Sequence, residues 1–321
     1  RVLSTVAATM TTLGATSLVP KIYKMINPVA PAVIGNQPQN QQVIKDSSST
    51  KIVKYIAISP NIVGTDALKL IVNNATYTLR INVENSPQTR LKIEKDSKIT
   101  GGIYHKVQVE LTYNSNHIEG SKLTHDQTRY IFETNTIGVD GLVKVDDVVE
   151  TANHFKCIDM IIEKANYKLS ERFIKELHKT LKGGTTDSRL SWFNVGDYKG
   201  LPNQVGGNET CQPEDVKLQM KKLIDNYNAI EKPTLDDILN FHYRFESIHP
   251  FQDGNGRVGR LIMFKECLKN GYVPFIIDEE HKMFYYRGLK EWKNEKGYLR
   301  DTCLSCQDSM KSVLDYFKIK Y

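Results

Sequence analysis

The sequence predicts a mainly α-helical protein preceded by a smaller, β-containing or partly disordered N-terminal region. Three observations predict this. From Gly101 onward, apolar residues recur at helical spacing in one segment after another. Before residue 98 the texture differs: residues 26 to 50 are rich in proline, asparagine, glutamine and serine, as linkers are. Between these regions Tyr77, Leu79, Ile81 and Val83 alternate with polar residues, the period of a strand with one buried face. At 321 residues and 40% hydrophobic content the chain can build a proper core in one large domain or two.

Val2 to Pro20 carries no charge but is diluted by threonine, serine and alanine, so it reads as a weak helix or disorder and not as a membrane segment. Residues 1–50 are expected to be weakly ordered or linker-like. Residues 51–97 are expected to form a small β module of unassigned role, with strands at 51–58 and 76–83. The helical domain then occupies 98–321. In it Tyr104, Val107, Leu111, Ser115 and Ile118 keep a helical period, and Gly120 suits the position just past the end of that helix. Helices follow over Leu123 to Ile137, Val145 to Glu163, Ser170 to Leu181 and Pro213 to Tyr227. The turn-rich stretch Gly196 to Gly207, with short strand-capable pieces beside it, reads as a β-hairpin. Thr234 caps a helix that runs to about Ile248; Pro250 stops it and leaves His249 where helix becomes loop. Val258, Leu261, Ile262 and Leu268 form the stripe of the next helix, which ends at Asn270-Gly271.

The net charge of +6, from 43 basic and 37 acidic residues, is spread along the chain and lacks the concentrated basic face that nucleic acid requires. Five irregularly spaced cysteines suit a reducing compartment. Cys303 and Cys306 form a Cys-x-x-Cys with no second pair, which is half of a zinc site. His105, His117, His125, His154 and His178 have no metal-ligand spacing and read as structural or surface residues.

The chemistry is concentrated in residues 249–260, His-Pro-Phe-Gln-Asp-Gly-Asn-Gly-Arg-Val-Gly-Arg. A loop that opens a helix aims unpaired N–H groups and the positive end of the helix dipole at one point, where anions bind. Arg257 and Arg260 lie three apart on one face of that helix and can grip different phosphates of one nucleotide. Asp253 suits Mg²⁺, which takes one or two carboxylates together with phosphate oxygens. His249, with an ordinary pKa of about 6.5, can accept a proton from an incoming hydroxyl. The loop holds no cysteine or serine placed to act as a nucleophile. The residues therefore point to direct attack by another molecule's hydroxyl on a bound nucleotide phosphate.

This segment matches every fixed position of the motif of the Fic family, His-Pro-Phe-x-x-Gly-Asn-Gly-Arg-x-x-Arg, and the chain resembles that family over roughly residues 103 to 317. The resemblance implies a Fic-type helical bundle with a β-hairpin flap. It also implies a protein adenylyltransferase that moves AMP from ATP to a Ser, Thr or Tyr hydroxyl of a target protein. His249 would be the base and Asp253 the Mg²⁺ ligand; Gly254, Asn255, Gly256 and Arg257 would cradle the α and β phosphates, and Arg260 would meet the γ phosphate. Ser115-Asn116-His117-Ile118-Glu119-Gly120 resembles the family's inhibitory helix, Ser/Thr-x-x-x-Glu-Gly/Asn, here at about 104–119. That likeness implies an intramolecular inhibitor in which Glu119 pairs with Arg260 and denies ATP a productive pose. The flap would bring Val205, Gly206, Gly207 and Asn208 near ATP and align the target by strand pairing. Tyr285-Tyr286 is similar to the family's aromatic helix beside the adenine, with Tyr286 as the nucleotide contact. The family further implies self-modification, leaves a homodimer open, and suggests a cytoplasmic site where ATP is supplied, with neither membrane nor nucleic acid as partner. Two alternatives stand beside it. One is transfer of another nucleotide monophosphate or of phosphate, against which Arg257 speaks, since the Doc-like kinases of this fold carry lysine there. The other is a non-catalytic ATP-sensing module, which would have no need of His249.

Overall fold

The computed structural model describes residues 41–46, 49–55, 65–72, 75–82, 85–139 and 141–321. The readings for Val2 to Pro20 and the rest of residues 1–40 lie outside the described residues. The chain forms two compact units, residues 1–85 with 96–98, and residues 86–95 with 99–321.

The first unit contains four strands, β1 (Gln41–Asp46), β2 (Ser49–Tyr55), β3 (Thr65–Val72) and β4 (Ala75–Asn82), paired antiparallel in chain order. The register sets Val43 opposite Ile52, Val53 opposite Val72, and Leu68 opposite Leu79. β2 and β4 fall where strands are expected at 51–58 and 76–83, of which residues 56–58 and 83 lie outside the described residues. β1 lies inside the stretch whose composition reads as a linker, and β3 has no alternating pattern to announce it. Both are next-door partners of a recognisable strand, and ladder pairing overrides local composition.

The second unit is helical. It comprises α1 (Pro87–Asp96), α2 (Ile103–Ile118), α3 (His125–Thr134), α4 (Val145–Glu163), α5 (Glu171–Lys182), α6 (Pro213–Asn228), α7 (Leu235–Ile248), α8 (Asn255–Asn270), α9 (Lys282–Glu291) and α10 (Gly297–Tyr316). A two-stranded hairpin, β5 (Gln204–Val205) and β6 (Asn208–Glu209), sits between α5 and α6. Most of α1 belongs to this unit, ahead of the change of texture near residue 98. Leu91 is in the core, and the buried Glu94 carboxylate accepts the Tyr104 N–H at 2.9 Å, capping the first turn of α2.

Helix ends follow the side chains that can satisfy their free N–H groups. α3 starts after Thr124, whose hydroxyl accepts the Gln127 N–H at 3.1 Å while the Gln127 side chain returns a bond to Thr124. It ends at Asn135, which takes a left-handed conformation at φ 54°, so the helix is shorter than the Leu123 to Ile137 apolar pattern. Thr234 and Asp237 make the same reciprocal cap on α7. α8 is the centre of the bundle: of its residues only Gly256, Lys269 and Asn270 are not buried. A helix buried on every face must pair its polar side chains. Lys265 and Glu266 therefore bond each other, and the Tyr227 hydroxyl donates to Glu266 at 2.9 Å. Cys303 and Cys306 face the same core from α10, where burial pushes their thiols up, that of Cys306 to about 12. Among the described residues no helix is long and apolar enough to cross a membrane.

Candidate functional site

The site is assembled where α7 hands over to α8. α7 closes with His249 in a left-handed conformation (φ 51°, ψ 62°), its N–H bonded to the Phe245 carbonyl at 2.9 Å. Pro250 forbids further helix. Asn255 then ties the loop shut: its Oδ1 accepts the Phe251 N–H and its Nδ2 donates to the Phe251 carbonyl, both at 2.8 Å. Gly254, at φ 80°, makes the turn into α8 that a side chain would strain. Phe251 is fully buried and stacks on His178 with ring centres 3.9 Å apart. His178 accepts the Gly196 N–H on Nδ1 at 3.0 Å and donates from Nε2 to the Asp253 carbonyl at 3.1 Å. Only the neutral ring can do both, and burial lowers its pKa to about 4. This histidine, structural on sequence grounds, pins α5, the loop and the approach to the hairpin together.

Two charge clusters flank the start of α8. In the first, Asp253 Oδ2 accepts from Lys182 Nζ at 2.6 Å and from Arg257 at 3.3 Å, and both cations also bond Glu150. Burial would raise the Asp253 carboxyl, but Arg257 and Lys182 outweigh it and hold it at about 2. In the second cluster, Arg260 donates from Nε to the Ser115 hydroxyl at 3.0 Å and from Nη2 to the Ser115 carbonyl at 2.9 Å. Nη2 also donates to Glu119 Oε1, at 2.7 Å. Glu119 is the C-cap of α2, and Gly120 follows at φ 95°. Burial disfavours the Arg260 charge, yet Glu119, together with Tyr285 and Glu246, outweighs it and the pKa is raised. The carboxylate reaches Arg260 across the first turn of α8, where a Cβ on Gly256 would stand 2.2 Å from Glu119 Oε1. Glycine at 256 is what lets an anion lie against that backbone.

His249 is largely buried, and burial first, then the Lys199 charge, lowers its pKa to about 4, so the ring is neutral at pH 7. Its Nδ1 lies 4.0 Å from Glu246 Oε2. Glu246 is itself pushed up to about 8 by burial. The hairpin turns at Gly206 (φ 56°) and Gly207 (φ 79°), the pair of positive φ values that a two-residue connection needs. It spans Gln204 to Glu209 and is thus shorter and later than the Gly196 to Gly207 reading. Residues 196 to 203 form turns that anchor it, with the Lys199 N–H on the Pro250 carbonyl at 2.9 Å and Asn203 Nδ2 on the Phe251 carbonyl at 3.0 Å. Val205 is exposed at the hairpin edge. Tyr286 donates to the Ile118 carbonyl at 3.2 Å, beside Glu119, whereas Tyr285 is buried against His242.

The fold therefore gathers His249, Asp253, Arg257, Arg260, Ser115 and Glu119 around one helix N-terminus. Open surface clefts of about 530 Å³ beside His105 and Tyr316, and of about 520 Å³ beside Tyr167 and Arg172, contain none of them. Lys182, Glu150, Lys199 and Glu246 are additions that the sequence reading lacked. Lys182 had one local signal: it lies four residues after His178, so two polar residues share the apolar face of α5 built by Phe173, Ile174, Leu177 and Leu181.

Residues 168–267 match the model of the Fic/DOC family. Proteins named Protein adenylyltransferase Fic from Drosophila melanogaster and Drosophila grimshawi are 31% and 30% identical over 215 residues. The matched stretch is 64% of this chain, and 41% and 42% of theirs. The chain spans less than half the length of these relatives. The crystal structure of a Fic domain containing signaling protein from Bacteroides thetaiotaomicron is 26% identical, with a TM-score of 0.58 over 73% of this chain and 97% of that one. Fic-1 from C. elegans, at 22% identity, shares the fold with a TM-score of 0.54 over 69% of this chain and 65% of its own. Residues 168–267, the segment that carries this loop and these two arginines, are a Fic domain of the Fic/DOC family.

Proposed function

We propose that this chain is a protein adenylyltransferase that moves AMP from ATP to a serine, threonine or tyrosine hydroxyl of a target protein, and that Glu119 holds it in check. The observation that carries this reading is the Glu119–Arg260 ion pair laid across Gly256, at the helix end where phosphates would bind. In the transfer, the target oxygen bonds to the α phosphorus, the bond from that phosphorus to the bridging oxygen breaks, and pyrophosphate leaves. The hydroxyl proton goes to His249, whose ring is neutral and ready to accept it. Arg257 and the N–H groups of α8 carry the charge that develops. Asp253 is ionised and half exposed, which fits a Mg²⁺ ligand; the ion would neutralise phosphate charge, displacing the contact with Lys182. While Glu119 holds Arg260, a γ phosphate meets a carboxylate where it needs a guanidinium. The names of the curated relatives support the activity. Self-modification and a cytoplasmic location with ready ATP belong to the same reading, which leaves a homodimer open.

The test is incubation of wild type, Glu119→Gly and His249→Ala proteins with ATP and Mg²⁺, alone and with a lysate, read by intact mass. One added AMP, more in Glu119→Gly and none in His249→Ala, supports the proposal. An added phosphate points to phosphotransfer, and ATP binding with no modification points to a sensor; either outcome overturns it.

A further inference from the structure

Lys199 is almost fully buried, yet among the described residues its ammonium bonds only neutral oxygens. Nζ donates to Asn203 Oδ1 at 2.6 Å, to Thr210 Oγ1 at 2.6 Å and toward the Ile248 carbonyl at 3.5 Å. Its own backbone N–H bonds the Pro250 carbonyl at 2.9 Å. Asn203 and Thr210 are the residues immediately before and after the hairpin strands, and they bond each other across its base. Ile248 and Pro250 are the two neighbours of His249. One lysine thus grips both ends of the hairpin and both sides of the proposed base. Taking an ammonium out of water without a carboxylate costs several kcal/mol, so a tether alone would be made better by apolar packing. The charge itself must have a use.

From this geometry we infer that Lys199 is a positioning residue that fixes the hairpin over His249 and keeps the imidazole in its proton-accepting form. The inference rests on the reading of His249 as the base. The groups that face His249 are Glu246 on α7, Glu119 at the end of α2, Asp253 in the loop and Lys199. Glu246, through its backbone carbonyl, Glu119 and Asp253 favour the charged ring, so Lys199 is the side chain among these that opposes them. Burial lowers Lys199 to about 8, which leaves it charged throughout the range in which His249 titrates. Burial is the larger influence that keeps the ring neutral, and the Lys199 cation adds to it against the Glu119 and Asp253 carboxylates and the Glu246 carbonyl. The same cation holds the hairpin, so base and target-aligning strand are set by one side chain.

The experiment compares full-length wild type, Lys199→Met, Lys199→Gln and Lys199→Arg, without nucleotide, by NMR. The His249 ring signal is assigned by its loss in His249→Ala. In the Met and Gln variants the His249 midpoint should rise from about 4 by about one pH unit or more, and amides 205–208 should exchange at least tenfold faster. Lys199→Arg, which keeps the charge, should restore the midpoint. An unchanged midpoint in a folded Met or Gln variant overturns the electrostatic role, and unchanged hairpin exchange overturns the tether. Neither readout needs AMP transfer, so this inference can fail or stand separately from the proposed activity, whose own failure shows as absent AMP in Glu119→Gly.

Discussion

Arg260 has two calls on its guanidinium, one fixed and one releasable. Ser115 holds it through a hydroxyl and a carbonyl within α2, while Glu119 is the cap just past the end of that helix, partly exposed. A charge-assisted hydrogen bond of this kind is worth about 1.5–3 kcal/mol. Glu119→Gly should therefore raise AMP transfer by roughly tenfold to hundredfold, measured as initial rate of self-modification, with the fold unchanged by circular dichroism; an unchanged rate would remove autoinhibition from the account. His249→Ala in that background should cut the rate by about 100-fold or more while leaving ATP affinity within about twofold, because it deletes proton transfer and no phosphate contact. His249, Asp253, Arg257 and Arg260 were legible in the sequence since they stand within one loop and helix start. Lys182, Glu150 and Lys199 were not. Their bonds to Asp253, Arg257 and Ile248 cross 71, 107 and 49 residues, and an ion pair made by folding leaves no local pattern.

The elements differ in how plainly the sequence shows them, for a physical reason in each case. α4 and α7 have caps or acidic first turns next to a clear apolar period, and both fall where the sequence puts them. α8 shows a stripe of Val258, Leu261, Ile262 and Leu268, but its burial on the remaining faces is hidden, because Arg257, Arg260, Lys265 and Glu266 look like surface residues until their partners arrive. The hairpin lies later than its glycines suggest because glycine marks turns of every kind; among the described residues only Gly206-Gly207 lies between strand residues that pair across a two-residue turn. The contact between α9 and α10 was invisible, since it depends on one missing side chain. A Cβ at Gly288 would lie 2.6 Å from Leu299 Cα, a backbone atom that cannot swing aside. Gly288→Ala should destabilise the protein by about 1–3 kcal/mol through overpacking, seen as a lower midpoint in urea. Ser309→Ala, at an exposed site on α10, is the control; equal midpoints for the two variants would show that α9 can retreat from α10.

At the scale of the whole molecule, the helical unit buries an unusual set of neutral imidazoles, and this fixes how its stability responds to pH. His154 and His242 are lowered to about 3, and His178 and His249 to about 4, in each case chiefly by burial. Unfolded, each would titrate near about 6.5. Between those values the unfolded chain binds more protons than the folded one, so stability rises with pH, is fully present above about 6.5, and is lost as pH falls toward 4. Glu246 acts in the opposite sense. Its pKa is raised to about 8 from about 4.3 unfolded, so its contribution is present at low pH and is lost as pH climbs through 8. Four histidines outweigh one glutamate below pH 6.5, and between about 6.5 and 8 the glutamate's single-proton decline takes over. The melting temperature should peak near pH 6.5–7 and fall steeply toward pH 4. Tryptophan fluorescence isolates this unit, because the chain has two tryptophans, Trp192 and Trp292, both inside it. His154, whose Nδ1 lies 2.9 Å from the Thr112 hydroxyl and whose Nε2 has no hydrogen-bond partner among the described residues, is one probe of the four, with Arg257 and Arg260 adding to the effect of burial on its ring. His154→Gln should flatten the acid side of the profile, and a melting temperature that stays level from pH 7 to pH 5 in wild type would mean that these rings are charged in the folded protein.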